Sequence, residues 1–196
     1  MTFIEYCTAT NNYLKRNTAY QTNKETISAC FNVFKENSEL IRLVIIDSMY
    51  STNLSKRLFG FEDISQKLKN IGPDEVIIAK AQEYLRTLDS NSIIGTLLSE
   101  KIGINKTGKP EKTATSLITK YLYYLTKYNF PIFDSLVNDN IDFFISIFCS
   151  EKRCEGSLFK KIQHIKNEFK ISYDLIDNGI WFYGKMQRGS LSLIVQ

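Results

Sequence analysis

Apolar residues recur along this chain mainly at three- and four-residue intervals, the period of a helix face. Ile27, Cys30, Phe31 and Phe34 predict a helix over 26–34. Ser38 then opens a stretch in which Leu40, Ile41, Leu43, Val44, Ile45, Ile46 and Met49 are apolar almost all round, the mark of a central, buried helix. The β-branched run 44–46 would also suit a strand, but no turn residue follows until Ser51 and the helix is favoured. Phe61, Ile64 and Leu68 share a face of the next element, which Asn70-Ile71-Gly72-Pro73 stops. Pro73, Asp74 and Glu75 stand where a helix start favours proline and acids, ahead of an amphipathic run over 76–88. Residues 90–98 lead to a polar turn, 103–110. The longest pattern, 111–128, follows and ends at Asn129-Phe130-Pro131. Helices over 134–149, 158–169 and 173–185 complete the series, and the tail 189–196 reads as extended. The fold class expected is all-α.

Composition narrows this picture. A chain of 196 residues makes one large domain or two small intimate ones, and no repeat or linker divides it. With 43% hydrophobic residues and 3 prolines, disorder and collagen-like structure are excluded. The net charge of +4 permits a nucleic-acid partner without demanding one. Lys101, Lys106, Lys109 and Lys112 face a single acid, Glu111, around a Gly-containing turn, either a phosphate site or a solvated loop. The four cysteines make no disulfide framework and read as reduced thiols; the Cys149–Cys154 spacing is unlike common zinc or iron–sulfur sites. The one histidine, His164, lies in a Lys-rich stretch that reads as a solvent-facing helix, so neither a transition-metal site nor a cofactor is expected. No targeting segment is visible, and the apolar stretches 43–46 and 143–148 fall far short of the roughly 20 residues of a membrane span. A soluble, cytoplasmic protein without a membrane partner is expected.

Three segments carry candidate chemistry. The apolar helix after Ser38 turns polar at Tyr50, Ser51, Thr52 and Asn53, which either face a cleft or simply end the helix. In the second, Gly103 and Gly108 let backbone amides approach a phosphate, and a helix starting near 110–112 would add its unpaired amides. Lys112 would then sit in a first turn, where the helix dipole opposes a positive charge and favours a nucleophilic amine. Lys120 falls two turns on, near the same side; either lysine also suits a plain exposed helix position. The third is Asp134 after Phe130-Pro131-Ile132-Phe133, an N-cap or a carboxylate aimed into a cleft.

This order of segments resembles the helix-hairpin-helix DNA glycosylases. Asp134 in Pro131-Ile132-Phe133-Asp134 resembles the family's Pro-Val-Asp segment, Lys112-Thr113-Ala114 its Lys-Thr-Ala, and 43–53 the helix that opens its domain. Ser116-Leu117-Ile118-Thr119-Lys120-Tyr121 with 130–135 is also similar to an uncharacterised bacterial group bearing Lys-Tyr and Pro-Ile-Tyr-Asp-Ser. The resemblance covers 38–150; Gly103 and Gly108 stand further apart than the family's glycines, and its four-cysteine iron–sulfur loop is absent. It implies a two-lobed helical bundle, with 1–196 as a single unit whose N- and C-terminal helices complete the second lobe. It further implies a monomeric enzyme that flips a modified or damaged base from double-stranded DNA and cleaves its N-glycosidic bond, in repair or in defence against foreign DNA. Gly103, Lys106, Gly108 and Lys109 would hold the DNA backbone, and Asp134 would stabilise the sugar cation or orient water. Lys112 or Lys120 would form a Schiff base if a lysine attacks. Tyr50, Asn53, Trp181 and Phe182 would wall the base pocket. A noncatalytic nucleic-acid-binding module and a helical protein-interaction module are the alternatives.

Overall fold

Helices dominate because start and stop signals agree with the hydrophobic period at most elements. The computed structural model describes residues 1–34, 38–50, 60–104 and 110–189, which form ten helices and one β-hairpin. They divide into two units, 22–130 and 1–21 with 131–196. No helix among the described residues is long and apolar enough to cross a membrane.

The unit 22–130 holds most of α2 (Thr18–Val33), then α3 (Glu39–Tyr50), α4 (Phe61–Ile71), α5 (Asp74–Thr87), α6 (Ile93–Ser99), β1 (Lys101–Ile104), β2 (Pro110–Thr113) and α7 (Thr115–Leu125). The helix buried on all sides is α7, in which every residue from Leu117 to Leu125 is buried, and α3, α5 and α6 pack on it. The run after Ser38 is a helix, as its lack of turn residues predicts, but it is not apolar inside and out. Ile41 and Val44 are exposed, while Glu39, Arg42 and Asp47 lie in its buried face. The stop predicted at 70–73 is Gly72, whose φ of 131° lies where a side chain would be strained.

Residues 110–113 correct the sequence reading. They are not the start of a helix but a strand paired antiparallel with 101–104, and α7 begins only at Thr115. Lys101-Ile102-Gly103-Ile104 places one alternate residue, Ile102, in the core, and strand pairing satisfies backbone groups that a short helical extension behind Pro110 would leave open.

The other unit comprises α1 (Phe3–Arg16), α8 (Ser135–Phe148), α9 (Leu158–Phe169) and α10 (Tyr173–Gln187) with the first turn of α2. Thr2 and Glu5 close α1 with a reciprocal capping box, and Asp134, Ser157 and Ser172 cap the other three. Phe3 sits against Phe144, Phe148 and Phe169 at ring distances of 5.7, 5.4 and 4.9 Å. Gly179 lets α1 reach α10: a Cβ there would stand 2.6 Å from the Cys7 sulfur. The unit boundary falls after Phe130, and α8 packs with the chain-terminal helices. The apolar face of α8, including Leu136, finds its partner in α10 beside Gly184.

Candidate functional site

Within the unit 22–130, the packed pair α3–α7 buries an unusual set of polar groups. Lys120, one turn after Ser116 on α7, is 4% exposed; its Nζ donates to Ser116 Oγ at 2.8 Å and lies 4.9 Å from the centre of the Tyr50 ring. Tyr50 closes the end of α3, its hydroxyl 2.8 Å from that of Tyr124. Asp47, 5% exposed, sits one turn before Tyr50, so the helix pair carries a buried carboxylate as well as a buried ammonium. The Tyr50 ring face and the Ser116 hydroxyl hold the desolvated lysine in place.

A second buried charge braces the same helices. Arg42, fully buried, donates to both carboxylate oxygens of Asp74 (2.8 and 2.9 Å), to the Tyr121 hydroxyl (3.3 Å) and to the carbonyls of Phe31 and Phe34. Its guanidinium also lies 4.8 Å from the centre of the Phe31 ring. One side chain thus ties α3 to the end of α2, the start of α5 and the middle of α7. Burial pushes the Tyr121 hydroxyl up to about 12, against the lowering influence of Arg42.

The basic turn is a β-hairpin. Lys112 occupies β2 opposite Gly103 and not the first turn of a helix, so no helix dipole acts on it there to favour a nucleophilic amine. Lys120 is the lysine on the helix that follows the hairpin. Lys106, Gly108, Lys109 and Asn53 lie outside the described residues.

Asp134 belongs to the other unit. Its Oδ1 accepts the Leu136 amide at 2.8 Å as the N-cap of α8, and Oδ2 makes no hydrogen bond among the described residues. The side chain is half-buried behind the buried Pro131 and Ile132. Of the two C-terminal aromatic residues placed in the base pocket, Phe182 is fully buried, 5.2 Å edge-on to Tyr13, and has no face to offer a ligand. Trp181 is half-buried beside Tyr20, with Lys185 Nζ 5.4 Å from its ring centre.

His164 departs furthest from its expected setting. Its side chain is 19% exposed, but its Nε2 is sealed from water, has no hydrogen-bond partner among the described residues, and lies 3.9 Å from Glu168 Oε2. No protein-family model matches the chain, and neither a curated protein nor a solved structure with significant similarity to it is found. Sequence reasoning passed over Arg42, Asp47, Ser116 and the His164 cluster. For the first two the available signal was a charge set among apolar residues on the buried face of α3.

Proposed function

We propose that this protein is a DNA glycosylase that extrudes a modified or damaged base and hydrolyses its N-glycosidic bond. The observation that carries the reading is Asp134. One carboxylate oxygen is held by the α8 cap, while the other makes no hydrogen bond among the described residues. As the C1′–N bond breaks, its electron pair leaves with the base and positive charge grows on the sugar. A fixed carboxylate stabilises that cation and takes the proton of the attacking water, and the departing base is protonated in turn. Lys120 replaces Lys112 as the lysine of interest. Hydrogen-bonded to Ser116 and set against the Tyr50 ring, it serves as a buried cation of the α3–α7 pair rather than as a nucleophile.

The test is mass spectrometry of bases freed from a panel of damaged, normal and phage-modified duplexes. Asn caps a helix about as well as Asp, so Asp134→Asn removes the charge and keeps the fold. Release by the wild type that drops by about 10²–10³ in the variant supports the reading. Unchanged release in the variant, or none from any duplex, defeats it. Borohydride is expected to trap no adduct on abasic DNA; one lost in Lys120→Ala would make Lys120 the nucleophile instead.

The hairpin favours a second reading. A two-stranded ribbon bearing Lys101 and Lys112 suits a groove or phosphate backbone without chemistry. Salt-sensitive duplex binding without base release would support that noncatalytic module.

A further inference from the structure

The unit formed by 1–21 and 131–196 brings together three side chains that the proposed excision does not use. Cys149 is the C-cap of α8, and His164 and Glu168 lie one turn apart on a single face of α9. One donor atom from each, the Cys149 sulfur, a His164 ring nitrogen and a Glu168 oxygen, all lie within 4.8 Å of one another. Cys149 is 1% exposed, and the His164 and Glu168 side chains are 19% and 24% exposed, so the cluster is shielded yet reachable.

Two details separate this from chance proximity. Glu168 Oε1 accepts the Ser150 backbone amide at 2.6 Å, which orients the carboxylate and leaves Oε2 turned toward His164. That is the arrangement in which a backbone group steers a metal ligand. Secondly, His164 Nε2 is buried without a hydrogen-bond partner among the described residues, an arrangement proteins avoid unless another group completes it. It stands 3.9 Å from Glu168 Oε2, too long for a hydrogen bond. Sulfur, nitrogen and oxygen ligands around a tetrahedral zinc ion lie roughly 3.5 Å apart, so small side-chain rotations would bring these donors onto one ion.

We propose that Cys149, His164 and Glu168 form a zinc site that pins the 149–157 loop and joins the end of α8 to α9. The donor set suits this ion: thiolate and imidazole select a borderline-soft metal over magnesium or calcium. A thiolate and a carboxylate together cancel the charge of Zn²⁺. The fourth position falls to water or to Cys154, five residues along the same loop. Zinc binds the Cys149 thiolate, so binding displaces the thiol proton. The site does not depend on base excision, and either assignment can fail alone.

The test uses the full chain, stripped with a chelator and titrated first with Zn²⁺ against a competing chromophoric chelator, then with Co²⁺. One equivalent of zinc should bind, and cobalt should give a thiolate-to-metal charge-transfer band. Zinc should also raise the melting temperature. His164→Ala, at a part-exposed position, should weaken binding at least tenfold and abolish the thermal shift. Cys149→Ser should remove the charge-transfer band. Cys30→Ser, in the other unit, should change none of these. No stoichiometric binding, a cobalt spectrum without the thiolate band, or His164→Ala binding as tightly as wild type would each overturn the proposal.

Discussion

Arg42 shows what one residue does in this protein. Its guanidinium meets a carboxylate, a phenol, two carbonyls and an aromatic face, yet its Nε has no partner among the described residues. Such a group contributes less to net stability than its contacts suggest, because desolvating the charge offsets much of the attraction. Removing it is another matter, since Asp74 and two helix-end carbonyls would lose their donor together. Arg42→Met should therefore cost about 3 kcal/mol, the lower part of the range for a broken buried pair, because Asp74 keeps 24% of its side chain in solvent. Arg42→Lys should recover only part of this, since an ammonium cannot grip both carboxylate oxygens. Urea midpoints of the three proteins at equal slope would check both statements. An arginine inside an apolar helix pattern can be read from the sequence as buried. Its partners, 32 and 79 residues away, cannot, because no local spacing encodes them.

Among the elements, α1 and α10 depend on a close approach at Gly179. A methyl group there would meet the Cys7 sulfur at 2.6 Å, well inside contact distance, in the middle of two well-formed helices. Gly179→Ala gains helix propensity of about 1 kcal/mol and loses more to overpacking, so a net destabilisation of about 1–2 kcal/mol is expected. Pairing it with Cys7→Ala removes the obstructing sulfur, and the double variant should be more stable than the sum of the single changes implies. A double-mutant cycle by thermal or urea unfolding reads this coupling, and simple additivity would show that the helices separate without strain. At the element scale the sequence was largely legible. The patterns over 61–68, 76–88, 134–149, 158–169 and 173–185 all lie on helices, with Asp134 in the cap position that its setting suggested. The hairpin was not legible. Its strands are four residues long, too short for alternation to outweigh the longer helical pattern that begins beside them.

For the whole molecule, protonation divides the two units. Burial pushes the Cys7 and Cys149 thiols and the Tyr6 hydroxyl up to about 12, and all three belong to the unit 1–21 with 131–196; Tyr121, in 22–130, is raised likewise. In the unfolded chain thiols release their protons near pH 9 and tyrosines near pH 10. The native state therefore holds more protons than the unfolded state between about pH 9 and 12. Stability should be undiminished by these groups below pH 9 and should fall as pH rises through that window. Trp181, the one tryptophan, reports on the unit that carries three of the four groups. In metal-free buffer its fluorescence transition should precede the loss of helical circular dichroism. Coincident transitions would show that both units unfold as one.

What the sequence determined by itself is what lies within a few residues of chain: the helical period, most helix ends, the capping role of Asp134 and the stop at Gly72. Hydrophobic period and capping act between residues i and i+4, so they can be read in order. Only the tertiary structure decided which unit α8 joins, that Lys120 rather than Lys112 lies on the helix after the hairpin, and that Phe182 is core. It also decided that Cys149 and His164 meet. Each of these rests on segments distant in sequence packing together, and the packing is chosen by the apolar surface the whole chain can bury.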